Sequence, residues 1–127
     1  MVDRLIRIKL EATDSTYLGE RKIDIFKNNE GEYFSKFTYM NENHEKVIEK
    51  NSLIASDVEE IVNMLSKIKI PAFPKPLDGC DGGYTELEIG GYSGKSHFRW
   101  WSCPPEGWEE LDGLTQRLID CVIIEKG

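Results

Sequence analysis

The sequence predicts an α+β fold: a single antiparallel sheet with two helices packed on one face, in the order β-β-β-β-α-β-β-α. Three observations carry this expectation. Six short segments alternate apolar and polar residues with a period of two, the mark of a half-buried strand. Two longer segments repeat apolar residues at helical spacing and meet prolines at their boundaries. The connections are short and rich in Gly, Asn, Asp and Pro, which suits neighbouring strands joined by tight turns. A chain of 127 residues fits one domain spanning 1–127, and at that size one core forms without staples.

Residues 4–10 open the sheet, with Ile6, Ile8 and Leu10 on one face and Arg7 and Lys9 on the other. Residues 20–26 follow, with Ile23 and Ile25 set against Lys22, Asp24 and Phe26. After the turn cluster Lys27-Asn28-Asn29-Glu30-Gly31, residues 33–40 form a third strand. Its aromatic and β-branched side chains fit a pleated surface. Tyr33, Phe37 and Tyr39 share one parity, and Phe34, Lys36, Thr38 and Met40 share the other. A second turn at Asn41-Glu42-Asn43-His44 leads to a fourth strand over residues 45–49 or a little beyond.

Ser56-Asp57-Val58-Glu59 fits a capping box, so the first helix is expected to open at Ser56. Val58, Ile61, Val62, Leu65 and Ile68 form its apolar face, Lys67 and Lys69 suit the negative end of the helix dipole, and Pro71 is the expected stop. The connector from Pro71 to Pro76 is stiff but too short to mark a domain boundary. Residues 84–89 form the fifth strand, with Thr85, Leu87 and Ile89 facing one way and Tyr84, Glu86 and Glu88 the other. Residues 96–102 pair with it; Phe98 and Trp100 share the core face, and His97, Arg99 and Trp101 the opposite one. Pro104-Pro105 starts the second helix, which opens at Trp108 and buries Leu111, Leu114 or Thr115, Leu118 and Val122. Gly113 inside that helix costs about 1 kcal/mol relative to alanine, and a close approach of helix to sheet is the expected reason.

The net charge of −7 argues against general nucleic-acid binding and against an anionic membrane surface. It suits a basic protein partner, although an acidic balance also serves simply to keep a protein dispersed. The three cysteines, Cys80, Cys103 and Cys121, are odd in number and lack Cys-x-x-Cys spacing, which reads as reduced thiols in the cytoplasm. The first residues show no signal-peptide pattern, and no run approaches the roughly 20 apolar residues of a membrane span.

Gly90-Gly-Tyr-Ser-Gly-Lys-Ser96 fails as a phosphate loop. The first glycine is one residue too close, and a strand rather than a helix follows the lysine. Asp78-Gly-Cys-Asp-Gly-Gly83 lacks the alternate carboxylates of a calcium loop and reads as a tight turn. His97, Cys80 and Cys103 match no zinc spacing. Cys103 and His97, six residues apart on one strand, stand about 20 Å from each other and cannot pair as nucleophile and base. No catalytic residue, metal or cofactor is expected. The run Phe98-Arg99-Trp100-Trp101 carries more. One of its two tryptophans must face away from the helices, and Trp, Tyr and Arg dominate interface hot spots.

The pattern of Asp-Gly, strand, glycine turn, Phe98-Arg99-Trp100-Trp101, Pro104-Pro105, Trp108-x-x-Leu111 and closing helix resembles small uncharacterised bacterial proteins. Some of those are similar to immunity proteins encoded beside polymorphic toxins. The resemblance covers residues 78–122 and brings no catalytic motif with it. It implies a cytoplasmic binding protein that neutralises a toxin domain by contact. The expected recognition residues are Trp101, Arg99, Tyr84, Glu86 and Glu88. One alternative is a ligand-binding or enzymatic domain with a pocket near His97 and Cys80; another is a structural subunit that self-associates through the open sheet face.

Overall fold

The computed structural model of the chain describes residues 3–12, 20–41, 43–71, 83–91, 94–101 and 104–123. Six strands form one antiparallel sheet: β1 (Asp3–Ala12), β2 (Glu20–Lys27), β3 (Tyr33–Met40), β4 (Lys46–Leu53), β5 (Gly83–Gly91) and β6 (Gly94–Trp101). Helix α1 (Ala55–Leu65) lies between β4 and β5 in the chain, and α2 (Glu109–Ile123) follows β6. The order β-β-β-β-α-β-β-α is as expected. Across the sheet the strands run β4-β3-β2-β1-β5-β6. The first four are a meander, and the β5–β6 hairpin then adds to the other edge of β1. The first strand of the chain therefore has both its edges paired. Among the described residues no helix is long and apolar enough to cross a membrane.

Register puts the apolar residues in continuous rows. Ile8 faces Ile23 on one side and Leu87 on the other, and the row continues to Phe37 and Phe98. Both helices cover this face. Val58 and Ile61 of α1 and Leu111, Leu114, Leu118 and Val122 of α2 close over Ile6, Ile8, Ile23 and Ile25 to make one core. Burying each such side chain stabilises the fold by about 1.5–3 kcal/mol. Both core tryptophans also use their indole N–H groups. Trp100 donates to Asp112 at 2.9 Å and ties β6 to α2, while Trp108 donates to the Pro71 carbonyl at 3.2 Å. Gly107 makes that second approach possible: its φ is +94°, and a Cβ there would stand 2.6 Å from Pro71 Cγ.

One irregularity matters for the opposite face. The β1–β2 register shifts between Arg4 and Ile6, a β-bulge that doubles two residues against one. Strict alternation would put Arg4 beside Ile6. The bulge instead sets Arg4 opposite Phe26, on the face that carries Arg7.

Four local expectations are corrected. Helix α1 starts at Ala55, with Ile54 as its N-cap and no side-chain cap, so Ser56 lies in the first turn. Strand β4 runs to the buried Leu53 and passes directly into the helix, which sets the start before the serine is reached. The helix also ends at Leu65, well before Pro71. The Ser66 hydroxyl bonds the Asn63 carbonyl at 2.6 Å and the Lys67 amide bonds Met64, which tightens the last turn to i→i+3; Lys67 and Lys69 lie beyond it. Helix α2 starts at Glu109, with the Trp108 amide bonded to the Pro105 carbonyl at 2.9 Å in the turn before it. Gly113 is exposed, and a Cβ added there meets nothing within 4 Å, so no close helix–sheet approach explains it.

Candidate functional site

The sheet face opposite the helices has no element over it among the described residues. Alternation along β5 puts Tyr84, Glu86 and Glu88 on this face, because Thr85 and Leu87 are buried on the other. Strand β6 brings its own three residues into register, with Trp101 opposite Tyr84, Arg99 opposite Glu86 and His97 opposite Glu88. The five residues expected to recognise a partner are thus neighbours at one edge of the open face.

Their geometry is a linked cluster. The Arg99 guanidinium lies 3.7 Å from the Tyr84 ring centroid, a cation–π stack. Trp101 meets Tyr84 edge to face, with centroids 4.7 Å apart at 75°. Arg99 also donates to Glu86 at 3.0 Å and, reaching over β5, to Glu11 of β1 at 3.2 Å. His97 Nε2 stands 3.4 Å from Glu86. Arg99 is thereby held over Tyr84 from two sides, and its side chain remains 44% exposed.

Glu88 belongs to a second group. Lys95 reaches it at 2.9 Å and Arg4, turned onto this face by the bulge, at 3.1 Å. The hydrogen bond from Lys95 holds the Glu88 carboxyl below its ordinary value against the opposing effect of burial, with lesser help from the charges of Lys95, Arg4 and Arg7. Beneath this group Asp24, only 2% exposed, accepts from Arg7 at 2.7 Å and has Arg4 at 3.9 Å. Glu86 and Glu88 therefore face a partner already neutralised by their own chain.

The sequence reading missed Glu11, Arg4 and Asp24. Arg7 and Asp24 were legible as polar-parity residues, but that they meet requires β1 and β2 in register. Arg4 was hidden by the bulge. The remaining expected positions separate from the cluster or cannot be placed. Cys80 and Cys103 lie outside the described residues, as do the turn residues 78–82. Cys121 packs half-buried against the core from α2. Among the described residues no three His, Cys, Asp or Glu side chains are grouped to hold a metal ion.

A cavity of about 660 Å³ opens on the other side of the sheet, where the end of α1 meets β1, β5 and β6. Leu5, Val62, Leu65, Ile70, Phe98 and Trp108 give it an apolar wall. His97 is part of the lining, but its imidazole is turned to Glu86 on the open face, so the cavity receives backbone there rather than a titratable group.

No protein-family model matches the chain, and no curated protein matches it.

Proposed function

We propose that this is a non-enzymatic binding protein that engages a protein partner through the open face of its sheet. The observation that carries the reading is the Trp101–Tyr84–Arg99 cluster on a face that no other described element covers. Trp, Tyr and Arg are the side chains that most often supply the large energy losses at protein interfaces, and here the arginine is preorganised by two carboxylates. Preorganised anchors lose less side-chain entropy on association. The size of the face agrees. Six strands at about 4.8 Å and some eight residues at about 3.3 Å make an area on the order of 29 by 26 Å. Each partner in a standard interface buries roughly 800 Å². Neutralising a toxin domain by covering it, in the manner of an immunity protein, is one function such a face would perform.

The test is capture from an extract of the source cell with wild type and Trp101→Ala, both first shown by circular dichroism to be folded. A stoichiometric partner held by wild type and lost by Trp101→Ala is the expected result. Equal capture by both, or none by either, would remove the reading.

The cavity supports a second reading, a site for a small apolar ligand. Its walls are aliphatic and aromatic, its polar groups are Ser66, Ser96 and backbone, and it has the size range of ligand pockets. A thermal-shift screen with Val62→Trp as the filled-cavity control separates the two. Ligand stabilisation of wild type but not of the variant would establish it, and a flat screen would dismiss it.

A further inference from the structure

We infer that the partner presents an acidic surface, and that it is received by a diagonal of lysines crossing four strands of the open face. This deepens the binding reading above and rests on it. Lys9 lies directly opposite Lys22 across β1 and β2, and Lys36 directly opposite Lys50 across β3 and β4. Lys36 is also opposite Asp24, two residues along β2 from Lys22, so the two pairs are diagonal neighbours and the line is continuous. Like charges set directly opposite on one sheet face oppose folding. Among the described residues none of these lysines makes an ion pair that would offset them. Four carboxylates stand near the line in register: Glu86 opposite Lys9, Asp24 opposite Lys36, and the opposed Glu11 and Glu20 two residues along from Lys9 and Lys22. Arginines take three of them, Arg99 holding Glu86 and Glu11 and Arg7 holding Asp24, and among the described residues Glu20 makes no ion pair with these lysines.

Protection of an exposed sheet edge explains lysines on β4, where Lys46 and Lys50 lie. It does not explain Lys9, Lys22 and Lys36, whose strands are paired on both sides. The protein as a whole is acidic at −7, so this face runs against its own background. Between the lysines stand two aliphatic side chains on the same face, Ile48 at 45% and Met40 at 36% exposure. Aliphatic surface among ammonium groups fits carboxylates arranged around apolar side chains. The two rings beside it on this face, Phe26 and Phe34, are half-buried and stacked on each other with centroids 5.4 Å apart, so the exposed side chains among the lysines are aliphatic rather than rings on which a nucleobase would stack, which favours an acidic protein over a nucleic acid. The basic partner suggested by net charge does not match this part of the face.

The decisive variant is the double reversal Lys22→Glu with Lys50→Glu. Each change sets opposite charges across a strand pair where like charges now stand, so the variant should melt no lower than wild type. Its affinity for an acidic partner should fall at least about tenfold. The probe is poly-L-glutamate, titrated into labelled protein and followed by amide chemical shifts over a salt series, with oligothymidylate as the competitor class. Expected are shifts centred on Lys9, Lys22, Lys36 and Lys50, weakening as salt rises, and lost in the variant. No shifts at these positions, unchanged binding by the variant, or stronger binding of oligothymidylate to the same lysines would overturn the inference. Both variants are also run against the captured partner. Loss with Trp101→Ala but not with the lysine reversal would leave the binding reading standing and end the acidic-partner inference. Loss of poly-L-glutamate binding in the reversal, with partner capture unaffected by Trp101→Ala, would do the opposite.

Discussion

Ser35 sits on the core face of β3 with its side chain fully buried, between Ile25 on one side and Asn51 on the other. Its hydroxyl has no hydrogen-bond partner among the described residues. An unsatisfied buried polar group costs about 1–3 kcal/mol, so Ser35→Ala should raise stability by about 1 kcal/mol in urea denaturation; a loss of that size would mean the hydroxyl is bonded after all. Glu88 allows a test in pH. Its folded carboxyl is held below its ordinary range, chiefly by the Lys95 hydrogen bond. A depressed folded value contributes stability above the unfolded pKa of about 4.3 and loses it as pH falls through the folded value. Glu88→Gln should therefore lower the neutral plateau slightly and flatten the acid limb, so that the two stability curves converge as pH falls through the folded value. Parallel acid limbs in the two proteins would contradict the assignment. The contribution is small, because the pair stands partly in solvent. Which side chains are polar and outward was legible at this scale; who meets whom was not, because Arg99–Glu11 joins residues 88 positions apart.

At the scale of elements, the two turns of the meander use one device twice. In Asn28–Glu32 and again in Asn41–Glu45, the Asn side-chain oxygen accepts from the backbone amides two and four residues on. Both turns need a left-handed residue at the fourth position. The first supplies Gly31 at φ +81°, the second His44 at φ +61°. Left-handed backbone costs a non-glycine residue about 1–2 kcal/mol, so His44→Gly should stabilise the protein by about 1 kcal/mol despite glycine's looser unfolded chain. Gly113→Ala should do the same by about 1 kcal/mol, since the glycine is helical and an added methyl meets open space. Thermal melts read both changes, and a drop in Tm for either would refute the geometry it rests on. Helix existence and burial stripe were legible from periodicity: Leu111, Leu114, Leu118 and Val122 are all buried as expected. Helix boundaries were not. A capping box at Ser56 and a proline at 71 are local signals, and the chain's passage from β4 into α1 and the Ser66 turn overrode both.

For the whole molecule, the sheet order makes β1 its mechanical centre. It bonds β2 on one side and β5 on the other, and Ile6 and Ile8 lie at the middle of the core. Amide exchange should be slowest in β1 and its neighbours and fastest in the edge strands β4 and β6, because central strands open only when the fold does. Comparable protection in β6 and β1 would show that the hairpin edge is covered in solution. Read alone, the sequence specified the class of fold, the number and order of elements and, Arg4 excepted, the face of the alternating strand residues. Periodicity is a local property, readable from a few residues at a time. It also placed Tyr84, Glu86, Glu88, Arg99 and Trp101 on one outward face. That the β5–β6 hairpin joins β1 rather than β4, that a bulge turns Arg4 outward, and that four lysines from four strands form one line came from the folded arrangement. Strand order and register depend on which edges pair and how the helices close the core, and those contacts link residues far apart in the chain.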